Sequence, residues 1–194
     1  MDHGTWNTNA HRLQQGYWCS VCSQGENEQI CRWYFEQIFN KSFPKTQLSK
    51  VIRIVNEKMY NETELDILNR LIKYGHFDGY AELKLNRKSI KLAFEYNGPQ
   101  HYRFPNHVHK TKEKFNYQRF LDQMKQKVCD AEENKIVLIV FPFFIDERMD
   151  NPEIIQNYIV KEFNIKTGID LVDLPKFNHK TYVFGQYKLD KYLK

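Results

Sequence analysis

Glycine is scarce in this chain and cysteine scarcer, and no apolar stretch is long enough to cross a bilayer. Eight glycines exclude collagen-like and low-complexity classes. The four cysteines are Cys19, Cys22, Cys31 and Cys129. The opening residues MDHGTWNTNAHRL contain no apolar segment that could serve as a secretory signal, so a disulfide framework is not expected. The longest apolar run, Ile136 to Ile145, is interrupted by Pro142 and falls short of the roughly 20 residues a spanning helix needs. Charge of one sign is also in short supply. Lysine and arginine total 29 against 24 acids, a net +5, which excludes a polybasic chain but allows a basic patch on one face. What is abundant is core-forming material, 41% of 194 residues, aromatics included. The expectation is an intracellular globular protein, not secreted, with no membrane partner.

Residues 1–23 are polar and short of aliphatics, and they hold Trp6, Trp18 and the pair Cys19/Cys22. They are read as a small module of their own. From Glu26 the pattern turns helical, with Ile30, Tyr34 and Ile38 four apart and Pro44 just past the end. Asn61 with Glu64 three residues on predicts a capping box opening a helix that buries Leu65, Leu68, Leu71 and Ile72, and Gly75 is placed to end it. Residues 77–85 and 89–97 predict a hairpin around the turn Asn86, Arg87, Lys88. A long helix is expected from about Thr111 to Glu133. The run Ile136 to Phe141 predicts a strand covered on both faces. Asn151 and Pro152 open a last helix, burying Ile155, Tyr158 and Ile159. This order predicts an α/β sandwich with a mixed sheet flanked by helices. Residues 24–164 form its body and residues 165–194 a C-terminal extension without an assigned role. Cys31 and Cys129 sit in helical stretches and are expected as buried free thiols.

Acidic residues at strand ends carry the chemistry. Asp78 lies in FDGY on the first hairpin strand and Glu95 in AFEYNG on the second. A turn centred near Arg87 sets Asp78 opposite a residue within one or two positions of Glu95. Facing carboxylates repel unless a cation lies between them. Magnesium takes one or two carboxylates together with phosphate oxygens, and such a metal activates water and stabilises phosphoryl transfer. The ordinary alternative is a turn aspartate and a solvated strand glutamate. His101 follows in GPQHY, where an imidazole can act as general base or contact a phosphate. His107 and His109 make a three-histidine zinc site conceivable but weaker. Asp122 and Lys125, three apart on the long helix, are expected on spacing alone to form a surface ion pair. The ladder Glu28, Arg32, Glu36 has the same ordinary reading.

Taken together, the helix with Glu28 and Arg32, then FDGY, EYNGPQHY, the helix with Asp122 and the strand IVLIVF resemble the PD-(D/E)XK nuclease superfamily. The closer likeness, over roughly residues 24–145, is to the branch holding very-short-patch-repair and related homing endonucleases. Its most specific part is Glu95, Gly98 and His101. The resemblance implies a restriction-endonuclease-like fold and catalytic roles for Glu28, Asp78, Glu95, His101 and Asp122. It implies Mg2+ or Mn2+ on Asp78 and Glu95. Asn97 stands where the superfamily's usual lysine would be, which fits the histidine branch and leaves open whether Lys125 or another lysine reaches in. The helix around Leu65 looks like an insertion. Trp6, Gly16, Trp18, Cys19 and Cys22 resemble half of the treble-clef zinc module joined to such nucleases in large DNA viruses and phages. Zn2+ would take Cys19 and Cys22, with His3 and His11 as further candidates, although no cysteine precedes Trp6.

The functional expectation is a metal-dependent endonuclease acting on DNA, with Arg103, Lys110, Lys112 and Lys125 available for phosphates. Cutting both strands would call for a homodimer. The alternatives are a catalytically inactive nucleic-acid-binding module, or a scaffold protein, on the same fold.

Overall fold

The structure is a computed structural model. It describes residues 25–172 and 174 with the exception of 54, 86, 107 and 148–150, so the module at 1–23, with Cys19 and Cys22, lies outside the described residues.

Helix α1 (Glu26–Phe39) carries aromatics and aliphatics through most of its length and buries Ile30, Cys31, Trp33, Tyr34 and Phe35. It ends at Asn40 in the left-handed conformation (φ 46°), and the carboxylate of Glu36 accepts from the Phe43 amide at 2.9 Å to fix the turn that follows. A two-residue strand β1 (Thr46–Gln47) leads to helix α2 (Glu62–Tyr74). The expected capping box is present: the Asn61 side chain accepts from the Glu64 amide, and Glu64 accepts from the Asn61 amide. Strand β2 (His76–Phe77) pairs with β1, and a bend at Asp78 passes the chain into the hairpin β3 (Gly79–Leu85) and β4 (Lys88–Asn97). Arg87 takes a positive φ of 63° and makes the hairpin turn one residue tighter than expected, so Leu85 faces Lys88 and Gly79 faces Phe94. Continuing that register brings Asp78 level with Glu95.

Helix α3 (Lys112–Asp130) follows, capped by the Thr111 hydroxyl, and returns the chain to β5 (Ile136–Pro142), parallel to β4. Helix α4 (Pro152–Thr167), capped by Asn151, closes the described fold. The main sheet is mixed, in the order β3-β4-β5. Both faces of β4 and β5 are covered, as the continuous apolar run of β5 predicts. On one face, Leu92, Phe94, Ile139 and Phe141 pack against α1 and α4, with Phe35 stacked on Phe94 at 4.5 Å between ring centres. On the other, Ala93, Ile136 and Leu138 pack against Leu68 of α2 and Met124, Val128 and Cys129 of α3. The helix around Leu65 therefore supplies part of one covering layer. Residues 165–167 complete α4, and Ile169 beyond it joins the core. Cys31 and Cys129 are buried free thiols. Among the described residues, no helix is long and apolar enough to cross a membrane.

Candidate functional site

Asp78 owes its position to the glycine beside it. A Cβ on Gly79 would lie 2.1 Å from Cε1 of Phe94 and 3.0 Å from Cβ of Phe43, so only glycine lets the bend press against the core. From there Asp78 Oδ2 accepts from the Tyr96 amide at 2.9 Å, which ties the bend to the end of β4. Its carbonyl oxygen accepts from Arg32 Nη2 at 2.6 Å. The same guanidinium nitrogen is 2.9 Å from Glu28 Oε1, so the predicted helical pair Glu28–Arg32 forms and also locks α1 onto the bend. Lys45, from the loop before β1, places Nζ 3.3 Å from Glu28 and 3.4 Å from Asp78 Oδ1. Burial and the nearby Asp78 charge raise the pKa of Glu28, which Lys45 and Arg32 partly offset.

Glu95 comes next along the sheet. Its Oε2 is 2.9 Å from Lys125 Nζ, and both side chains are largely shielded, 15% and 14% exposed. Its other oxygen, Oε1, is buried and accepts no hydrogen bond. Burial pushes the carboxyl up to about 7 in spite of Lys125, and the charges of Asp78 and Asp122 push the same way. Lys125 also donates to the His76 carbonyl at 3.1 Å. Asp122, one turn earlier on α3, takes a different partner: its Oδ2 lies 2.8 Å from His101 Nδ1, while Oδ1 accepts from Gln118 at 2.8 Å. The expected surface pair between Asp122 and Lys125 is thus replaced by two separate pairings that dock α3 on the sheet and on the loop after β4. His101 itself sits on a 3-10 turn, Pro99–His101, directly beyond the end of β4. A carboxylate on Nδ1 holds the proton there and leaves Nε2 as the basic nitrogen.

The tertiary structure therefore strings Glu28, Asp78, Glu95 and Asp122 along one end of the sheet, with Arg32, Lys45 and Lys125 interposed and His101 at the far end. Among the described residues, no three His, Cys, Asp or Glu side chains are grouped closely enough to hold a metal by themselves. The donors present are two carboxylates level with each other across the hairpin, Asp78 and Glu95, of which Glu95 carries an unsatisfied buried oxygen. That is a partial set, of the kind that magnesium completes with water and phosphate oxygens.

The remaining expected residues fall in different places. Arg103 is exposed, paired with Glu147 at 3.0 Å and lying over the Phe143 ring at 4.5 Å. Lys110 and Lys112 are exposed beside the start of α3. Lys125, expected among the phosphate-facing cations, points inward to Glu95. His109 is buried near Phe115, and the Asn106 carboxamide bonds its backbone amide at 2.6 Å, which gives it a packing role in the loop. His107 lies outside the described residues. Lys45 and Gln118 were missed by sequence reasoning: the partners of Lys45 come from other elements, whereas Gln118 stands four residues before Asp122 on the same helix, a spacing that could have marked it.

Two curated viral proteins are similar to this chain. Uncharacterized protein 307L of Invertebrate iridescent virus 6 is 31% identical over 125 residues, 63% of this chain and 58% of its own length. Uncharacterized protein 033L of Invertebrate iridescent virus 3 is 32% identical over 123 residues, 63% of this chain and 50% of its own length. The chain thus spans about half the length of the curated relatives it matches. No protein-family description matches it, and no solved structure matches significantly.

Proposed function

We propose that the chain is a metal-dependent endonuclease that hydrolyses DNA phosphodiester bonds on a restriction-endonuclease-like fold of the PD-(D/E)XK type. One observation carries this reading: at one end of β4 the charges of Asp78 and of Asp122, itself paired with His101, both bear on Glu95, and Glu95 keeps a buried oxygen with no partner. A magnesium or manganese ion, held by Asp78 and Glu95, would supply positive charge to the phosphate as negative charge develops on it. The chain's own residues account for the rest. Asp122 orients the His101 ring, and Nε2 takes a proton from the attacking water as the oxygen bonds to phosphorus and the ester P–O bond breaks. Lys125 moderates the charge of Glu95, standing in space where Asn97 leaves no lysine in sequence. Glu28, through Arg32 and Lys45, positions Asp78. Lys110 and Lys112 lie on the flank a DNA backbone would approach, which makes binding salt-dependent. Cys19 and Cys22 would hold zinc in an accessory module, and two copies of the chain would be needed to cut both strands.

A second reading is an inactive nucleic-acid-binding or scaffold protein on the same fold. It draws support from Lys45 and Lys125, which already neutralise the acids a metal would use. A plasmid and oligonucleotide cleavage assay in Mg2+, Mn2+ and EDTA separates the two. The enzyme reading expects cleavage that EDTA abolishes and that Asp78→Ala and His101→Ala each reduce by about a hundredfold or more. Unchanged cleavage by Asp78→Ala refutes it, and duplex binding without cleavage by the parent protein establishes the alternative.

A further inference from the structure

Beside His101 a cleft of about 460 Å³ opens between α3, the end of β4 and β5, a size within the range of small-molecule sites. Its floor is Val140, and the rings of Tyr102 and Phe115 flank it. The Tyr102 ring packs against Phe143 at 5.9 Å and edge-on to Phe144 at 5.1 Å between ring centres, which sets its position at the cleft. Helix α3 contributes Arg119, Asp122, Gln123 and Gln126 to the lining. Their spacing of three and four residues puts all four on one helical face. Of these, Asp122 serves His101, and Gln126 donates to Asp130 at 2.7 Å, which leaves its carbonyl oxygen available as an acceptor.

Arg119 stands apart from the other cations near the acids. Arg32, Lys45 and Lys125 are each paired with a carboxylate. The Arg119 guanidinium has no ion-pair or hydrogen-bond partner among the described residues, although Asp122 is only three positions away. A planar fork of donors without a protein acceptor, one turn from the aspartate that orients the candidate general base His101, suits a phosphate oxygen pair. Carboxamides and aromatic edges behind it suit a nucleobase, since an amide both donates and accepts and a ring offers a stacking face.

Building on the nuclease reading, we propose that this cleft receives one unpaired nucleotide of the DNA strand, adjoining the bond to be cut. Arg119 binds the phosphate next to the scissile one, and the base enters between Tyr102 and the amides of Gln123 and Gln126. The protein would then prefer DNA with an extruded or unpaired nucleotide over a fully paired duplex, because a stacked base cannot enter.

The test is fluorescence anisotropy in EDTA, where nothing is cut, with three fluorescein-labelled 20-mers: a perfect duplex, a duplex with one bulged nucleotide, and a single strand. The parent is expected to bind the bulged duplex at least about tenfold more tightly than the perfect one. Arg119→Ala should abolish that preference, and Arg119→Lys should restore only part of it. Gln123→Ala should weaken the bulged duplex and leave the perfect one unchanged. Circular dichroism melts of these exposed-site variants should match the parent. Equal binding of bulged and perfect duplexes by the parent overturns the proposal, as does an equal loss on both with Arg119→Ala, which would mark a merely electrostatic contact. Cleavage in Mg2+ is read separately. A bulge preference without cleavage sinks the nuclease reading and keeps the nucleotide site, whereas cleavage of perfect duplex unaffected by Arg119→Ala does the reverse.

Discussion

Replacing Glu95 with glutamine should make the protein more stable at pH 8 while removing the acid on which the proposed reaction depends. Glu95 is held with one oxygen unsatisfied, and its pKa is raised from 4.5 to about 7 by burial, against the opposing pull of Lys125. A raised carboxyl binds its proton more tightly in the folded chain than in the unfolded one. Its contribution is thus undiminished below pH 4.5 and is lost as pH rises toward and through 7. At roughly 1.4 kcal/mol for each tenfold in proton affinity, the cost comes to about 3 kcal/mol once both states are ionised. Glutamine cannot ionise, so the variant escapes this cost. Lys125 has no carboxylate partner in the variant but keeps the His76 carbonyl, and its attraction for the ionised Glu95 of the parent is already contained in the value of about 7. The quantity to measure is therefore the change with pH of the stability gap between parent and variant. Urea unfolding in EDTA, followed by circular dichroism, should show the gap moving by about 2–3 kcal/mol in favour of Glu95→Gln from pH 5 to pH 8. A gap that stays constant across that range would show that Glu95 ionises in the fold as freely as in water, and the argument for a strained metal-seeking carboxylate would fall.

Other perturbations separate scaffold from site. Gly79→Ala forces a Cβ into the Phe94 ring and should cost about 1–3 kcal/mol or more in urea unfolding; a neutral effect would mean the bend at Asp78 is not pinned by the core. Asn61→Ala removes a capping box far from the acids and should cost about 1 kcal/mol with cleavage unchanged. Asp122→Asn keeps the shape but not the acceptor charge on His101 Nδ1, so cleavage should fall by about a hundredfold or more while the melting temperature moves little. A loss of activity that tracks the melting temperature instead would make Asp122 a structural residue.

Much of the fold was legible because it rests on local signals. The capping box at Asn61, the proline at the first position of α4 and the continuous apolar run of β5 are each written within a few residues, and each appears where expected. The hairpin register missed by a single position because the turn depends on Arg87 adopting a positive φ, which a non-glycine residue does not advertise. The limits of α3 were also drawn too long at its C-terminal end, since Ala131 to Asn134 form a turn that the apolar period does not mark. Pairings were harder. Asp122 and Lys125 satisfy the helical spacing for an ion pair, yet packing of α3 on the sheet offered each a better shielded partner, His101 and Glu95.

By itself, then, the order of residues determined which segments become helix and strand, which faces are apolar, and that Asp78, Glu95 and His101 lie near the ends of neighbouring strands. Only the tertiary structure decided which charges meet. Lys45 reaches Glu28 and Asp78 across 17 and 33 positions of chain, and Lys125 binds Glu95 from another layer of the fold. Periodicity reports what a residue's own helix or strand will bury. A shielded ion pair forms between elements, where excluding water strengthens the attraction, and no local pattern encodes which partner the packing will bring.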